Sequence, residues 1–490
     1  MRYPTNVDWF GFMLEGSMAL GRRKELQQGE LFIAAHNLPS SDGHVFYSKL
    51  NGLLAEAGFD SWIESVCQPH YRDKGRPGIP PGIYFRMLLI GYFEGIQSQR
   101  GIAWRCADSL SLRRFLGIQL TESTPDHSSL THIRERLPQE VHEKVFEWVL
   151  KVAVEKKLLK GQTVAVDSST LEADAAMKSI VRRDSGEDWR TYVIGLMREQ
   201  GVVQANEEPT DEEVRRFDKK RQGKKVSNED WESPIDPDAS ITRMKDGTTH
   251  LAYKAEHVVD LDSGMILAAE IYHGTAADTA TLEDSLNMAQ IHLREAGSET
   301  EIRDVAADKG YHSTDMMYQL AEGTNYRTYI PEPNQAKGRN WKKRTEQERR
   351  AIEANRRRMK GNKGKKLQRL RSEKVERTFA HVLETGGARR THLRGAEKVQ
   401  KRHLIATAAH NLSILMRRLF GIGTARSMQG MAKAISAVLL TMQLLLRLAK
   451  TLCNRFRDNQ ANKIGFWTQR ARISKNKMRC SQILICSTGC

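Results

Sequence analysis

The sequence predicts an α/β chain, a mixed sheet with flanking helices, preceded by an all-α, helix-turn-helix-like region and followed by a helical tail. Three observations predict it. Up to about residue 157 apolar residues recur at helical spacing. From Gly161 the period changes to that of strands. Beyond that point strand-like and helix-like stretches alternate, the order that packs helices against a sheet.

Residues 1–43 carry Gly16, Gly21, Pro39 and a Ser40-Ser41-Asp42-Gly43 turn cluster with little periodicity, and read as an arm. In 44–157, Phe85, Leu88, Leu89, Tyr92, Phe93 and Ile96 fall at i, i+3, i+4, i+7, i+8 and i+11 behind Pro80-Pro81, one buried helical face. Shorter helices follow at 103–110, 112–116, 128–137 and 141–156, the third behind a Pro125-Asp126-His127-Ser128 capping signal. A catalytic region then spans 158–422. Residues 163–166 read as a buried strand, and 251–259 with 265–271 as a hairpin closed by Asp260-Leu261-Asp262-Ser263-Gly264. Helix, strand, helix, strand follow at 280–296, 301–305, 314–321 and 326–330, the last ended by Pro331. Two insertions interrupt this order. One, about 180–245, holds a capping box at Thr210-Asp211-Glu212-Glu213. The other, about 334–374, contains in 337–374 seventeen Lys or Arg against four Glu. Residues 423–490 read as a helical, basic tail, in which the apolar 434–446 stretch, broken by Gln443, suits a core or dimer interface better than a membrane.

The net charge of +17 points to a polyanionic partner, nucleic acid ahead of an anionic membrane. No run reaches the roughly 18 apolar residues of a spanning helix, and Met1-Arg2-Tyr3-Pro4 opens no secretory segment. The expected location is the cytoplasm. Six cysteines without CxxC spacing read as reduced thiols.

Three acids carry the chemistry. Asp167 closes the β-branched run Thr163-Val164-Ala165-Val166, Asp308 follows 302–307, and Glu376 lies in a predicted helix within Val375-Glu376-Arg377-Thr378-Phe379. Two divalent ions about 3.5–4 Å apart support in-line phosphodiester displacement. Carboxylates are their natural ligands, and strand ends hold such ligands rigidly. Taken alone, Asp167 reads equally well as a strand-end cap; Asp304 and Asp174 compete with the two aspartates, and Glu373 with Glu376. Around the second acid, Asp278, Lys309, Tyr311 and His312 are candidate substrate-facing groups, Lys309 reading equally as a surface lysine and Tyr311 as a core tyrosine. His312 is given no catalytic role, and Trp104 reads either as a core residue or as a DNA contact. The basic run precedes the third acid, which makes Lys342, Lys343, Arg344, Arg356, Arg357, Arg358, Arg371, Lys374 and Arg377, with Lys309, candidates for contacts to DNA phosphates.

Val-Asp-Ser-Ser-Thr-Leu-Glu-Ala at 166–173, Ala-Asp-Lys-Gly-Tyr-His-Ser at 307–313 and Val-Glu-Arg-Thr-Phe-Ala at 375–380 resemble the three acid-bearing blocks of bacterial insertion-sequence transposases of the DDE class. Gly75-Arg76-Pro77, 112–117 and 124–130 resemble their helical amino-terminal domain, and Arg394-Gly395 with 408–412 their carboxy-terminal end. The resemblance implies a ribonuclease-H-like catalytic domain, with Asp167, Asp308 and Glu376 as catalytic residues and ligands of two Mg²⁺ or Mn²⁺ ions. It further implies terminal inverted repeats and target DNA as double-stranded partners, a homodimer or larger assembly on DNA, and action at the nucleoid. Several related transposases carry an Arg four residues before the catalytic Glu and a Lys seven after; here Ser372 and Leu383 stand there, with Arg371 or Lys374 as substitutes. Two rivals remain: a transposase-derived DNA-binding protein without cleavage activity, and a ribonuclease-H-like repair nuclease.

Overall fold

The computed structural model describes residues 43–425 apart from 73, 76–77, 205, 222–226, 245–246, 334–340 and 342–343, together with 441–450. The arm and most of the basic tail, with the 434–440 part of its apolar stretch, lie outside these residues, as do Lys342, Lys343, Arg76 and Pro77.

Seven helices come first: α1 (Val45–Glu56), α2 (Phe59–Cys67), α3 (Pro81–Glu94), α4 (Gln99–Asp108), α5 (Leu110–Leu116), α6 (His127–Arg136) and α7 (Gln139–Glu155). Local signals set their ends. Pro81 opens α3, and the side chains of Ser98, Ser109 and Asp126 accept N–H groups at the starts of α4, α5 and α6. The face of α3 anticipated from spacing is buried at Phe85, Leu89 and Phe93. Trp104 is 67% exposed, so it is not a core residue.

Then come β1 (Thr163–Glu172), β2 (Val181–Arg182), α8 (Trp189–Glu199), α9 (Asp211–Lys220), β3 (Trp231–Glu232), β4 (Ser240–Arg243), β5 (Thr249–Asp260), β6 (Ile266–His273), α10 (Asp278–Glu295), β7 (Asp304–Ala307), α11 (Thr314–Gly323) and β8 (Arg327–Tyr329). The basic run forms α12 (Glu346–Lys360) and α13 (Asn362–Phe379), and α14 (Ala396–Phe420) ends the series. The main sheet runs β4-β5-β1-β7-β8, with β6 also on β5. Within it β1 is antiparallel to β5 and parallel to β7, and β8 is parallel to β7. This mixed sheet with flanking helices and a helical amino-terminal region is the fold class expected. The 180–245 insertion forms the β2–β3 ribbon and the α8–α9 pair, the latter with a small core of Val193, Ile194, Met197 and Val214 and the anticipated capping box on Thr210.

Helix side-chain amides finish the sheet where strand partners run out. Asn411 of α14 binds both backbone groups of Ile266, at 2.9 and 2.8 Å, and Gln400 binds Ile271 N–H and Ala269 C=O. Asn355 of α12 does the same for Ile330 beyond β8. Each buried amide satisfies backbone groups that would otherwise lose hydration without compensation. One hydrophobic core includes residues of α1–α7, the main sheet and α14, so the change of period near Gly161 separates kinds of structure within a shared core. No helix of the described residues is long and apolar enough to cross a membrane.

Candidate functional site

The pairing of β1 with β7 ends at Val166 opposite Ala307. The next residue along each parallel strand is an aspartate, so register alone brings Asp167 and Asp308 side by side. The expected strand end at Asp167 is not observed: β1 continues to Glu172 because β5 is long enough to keep pairing it, as far as Ala252. Buried Val164, Ala165, Val166, Val305, Ala306 and Ala307 lock both strands beneath the acids.

One guanidinium spans the pair. Arg371 of α13 lies 2.7 Å from Asp167 Oδ2 through Nη1 and 3.8 Å from Asp308 Oδ1 through Nη2. The Arg371 side chain is 13% exposed, Asp167 23% and Asp308 48%, so the bridge sits at the floor of an open site. The other Asp167 oxygen accepts the Ser168 N–H at 2.9 Å. Two carboxylates that converge on one cation form a hard oxygen donor set, which fits a divalent ion of the Mg²⁺ or Mn²⁺ type.

The two candidates for the third acid, Glu376 and Glu373, both lie on α13. Gly364, Leu367, Val375 and Thr378 are its buried stripe, with Arg371 among them. At 100° per residue Glu376 falls about 140° from the centre of that stripe and Glu373 about 160°, so both stand on the outer side of the helix. Glu373 is exposed and receives the Arg377 guanidinium at 3.3 Å; Glu376 is exposed and accepts the Ser372 hydroxyl at 2.9 Å. The end of α13 is pinned beside Asp167. Thr378 Oγ1 lies 2.9 Å from His257 Nδ1, and the Phe379 ring stacks on His257 at 4.2 Å. His257 is the cross-strand partner of Asp167. Because the Thr378 hydroxyl donates to Val375 C=O, His257 Nδ1–H donates to it, and His257 Nε2 then accepts from His403 Nε2–H at 2.9 Å. Burial holds both imidazoles well below their ordinary range, His403 at about 4, so this chain is neutral.

The competing acids are engaged elsewhere. Asp304, expected to face solvent within a strand, is instead 5% exposed at the opposite end of β7 and binds Lys363 at 2.6 Å. Asp174 pairs with Arg394 at 3.1 Å.

Behind the acids lies a charged network with little sequence signal. Lys254 sits 2.8 Å from Asp278 and 3.1 Å from Glu256, and donates to Thr281. Ser168 donates to Asp278, and the Tyr311 hydroxyl to Glu256 at 2.8 Å. Burial and the Glu256 charge push the Tyr311 phenol well above its ordinary range, so it is a core tyrosine and a donor. Together these bonds tie the turn after Asp308 to β5. Gly310 is required there, since a Cβ would come within 2.6 Å of an Asp278 oxygen. Asp278 was legible as a candidate; Lys254 and Glu256 were hidden inside an apolar strand, their only signal being two charges in a segment expected to be buried.

Among the described residues of the basic run, several cations serve the fold. Arg344 joins Asp315 to Glu348, Arg356 pairs with Glu332, and Arg358 donates to the Thr328 carbonyl and hydroxyl. Lys374 reaches Asp262 C=O at 3.1 Å. Lys309, Arg357 and Arg377 are exposed. A separate group, Glu143 and Glu147 of α7 with His292 of α10, brings its ligand atoms within 4.8 Å of one another. His292 Nδ1 donates to Leu267 C=O, and Nε2 lies 3.1 Å from Glu143. Burial opposes its charge, but these bonds and the two glutamates outweigh it and raise its pKa.

Residues 37–136 match the family described as Transposase domain (DUF772), and residues 160–412 match the Transposase DDE domain. No curated protein and no solved structure matches the chain. The second match starts just before β1, takes in all three acids and Arg371, and covers more than half of the sequence. The chain belongs to the DDE-domain transposase family.

Proposed function

We propose that this transposase binds the terminal inverted repeats of its own element, cleaves DNA there, and joins the freed 3′ ends to target DNA, with Asp167, Asp308 and Glu376 as its acids. The carrying observation is the single guanidinium shared by Asp167 and Asp308, which stand just past the end of the parallel β1–β7 pairing. The family's members generally use divalent metal ions. Asp167 and Asp308 would hold the first of two such ions, and Glu376 would complete the shell of the second. Bound there, the ions would lower the pKa of an attacking water or 3′-hydroxyl and stabilise the leaving oxygen.

The chain's own residues do the rest. Rigid central strands hold the two aspartates, and the neutral His257–His403 pair fixes the helix that carries Glu376. Arg371 neutralises the aspartates before ions arrive and is then free to turn toward a phosphate. Exposed Lys309, Arg357 and Arg377 supply sequence-independent attraction for the DNA backbone. Two ends act together in transposition, so an assembly of two or more chains on DNA is expected.

The test is strand cleavage of a duplex carrying the element's end, with Mg²⁺ or Mn²⁺, by Asp167→Asn, Asp308→Asn and Glu376→Gln. Each should lose cleavage and keep end binding; cleavage retained by all three overturns the reading. Wild-type protein that binds ends and never cleaves them would instead mark a transposase-derived DNA-binding protein.

A further inference from the structure

A cavity of about 270 Å³ opens between α3, α4 and the first half of α14, on elements other than those bearing the three acids. Its walls are mostly apolar, with Tyr92, Ile96 and Ile405 among them, and no Asp or Glu lines it among the described residues. Three arginines line it, exposed Arg100 together with Arg134 and Arg402. Arg134 is only 9% exposed, its Nε has no hydrogen-bond partner, and no carboxylate pairs with its guanidinium among the described residues. Arg402 finds only the Gly387 carbonyl, at 3.4 Å. Burial pulls the Arg402 guanidinium down to about 10, and the charge of Arg134 adds to that pull. Gln99 contributes a second buried, unpartnered donor, its Nε2, while its oxygen accepts from Thr131.

Buried guanidinium groups are ordinarily paired, because removing their hydration without a counter-anion is costly. Buried Arg134 and half-buried Arg402 on one cavity, with two unpartnered N–H donors, form an anion site with an apolar body. The volume lies just under the ~300–1,000 Å³ of small-molecule pockets, which excludes a duplex and admits one nucleotide.

We propose that this cavity binds a nucleoside monophosphate unit, its phosphate on Arg134 and Arg402 and its base against the apolar wall with Gln99 at its edge. The choice of a nucleotide rests on the transposase reading; the anion site itself does not. The unit would come either from a DNA end or from free nucleotide.

The experiment is calorimetric titration of the full chain with dAMP, deoxyadenosine and inorganic phosphate, in parallel with melting curves. Wild type should bind dAMP at least about tenfold more tightly than either fragment. Arg134→Met and Arg402→Met should each weaken dAMP binding by about tenfold or more, while melting no lower than wild type without ligand, since each removes an unpaired buried charge. No dAMP binding at millimolar concentration, or full binding by both variants, overturns the proposal. Should a variant not fold, an azido-dAMP photoprobe on wild type must label α3–α4 or residues 386–406; label elsewhere overturns it. Competition by a duplex with one unpaired terminal nucleotide, and not by a blunt duplex, identifies a DNA end as the source; competition by neither identifies free nucleotide. Asp167→Asn should bind dAMP like wild type, so failure here is distinguishable from failure of the strand-end site.

Discussion

Replacing Arg371 by Gln removes the guanidinium that Asp167 and Asp308 share. At an effective dielectric of about 20, a pair of unit charges near contact attracts by roughly 4 kcal/mol, and desolvation reduces the net value of such a charged hydrogen bond to about 1.5–3 kcal/mol. Arg371 and Asp167 are 13% and 23% exposed, so solvent screening discounts this only modestly. The longer contact to Asp308, at 3.8 Å with a half-exposed carboxylate, adds little itself, but without Arg371 the two carboxylates repel each other unshielded. The expected loss is about 2 kcal/mol, a melting temperature a few degrees lower in EDTA. Manganese should reverse the order of response. In wild type the ion competes with Arg371, whereas in the variant that competition is gone, so the Mn²⁺-induced rise in melting temperature should be larger for Arg371→Gln. In an Asp167→Asn background the same substitution should cost less than about 0.5 kcal/mol, the missing partner leaving nothing to lose. Equal melting of wild type and Arg371→Gln in EDTA, or equal Mn²⁺ responses, would refute the bridge.

Glu373→Gln should cleave at rates within a few-fold of wild type, while Glu376→Gln should lose about three orders of magnitude or more, a cost typical of removing one transition-state electrostatic partner; equal losses would sink the choice of Glu376 over Glu373. Glu270, opposite Glu256 across the β5–β6 pair, is pushed up to about 7 by burial, Glu143 and Glu256 adding to this and His292 opposing it. Its folded pKa lies above the ordinary 4.5, so its contribution to stability is complete below about pH 4.5 and is lost as pH rises through 7. Glu270→Gln should therefore melt progressively higher than wild type between pH 5 and about 7.5, and a constant difference across that window would contradict the buried carboxyl.

Register and periodicity made much of this molecule legible. The hairpin of β5 and β6 was readable because its turn needs Gly264, at φ +80°, between two apolar runs. Asp167 and Asp308 were readable because each follows a run of small or β-branched residues. The expected strand at 301–305 begins only at Asp304, since Arg303 and Asp304 both spend their N–H groups on Gln162 C=O before pairing settles. The basic run was legible as charge but not as two helices, because its apolar positions, Ala351, Ile352, Leu367 and Val375, are sparse among lysines and arginines.

By itself the sequence determined the order of elements, the identity of the two candidate aspartates and the excess of cations, because these depend on local patterns of two to four residues. Only the tertiary structure decided which cation meets those acids and that Lys254, Glu256 and Asp278 brace the site from behind. Those outcomes depend on contacts such as that between Arg371 and Asp167, 204 residues apart, where helix phase and strand register must both be set before either side chain has a partner.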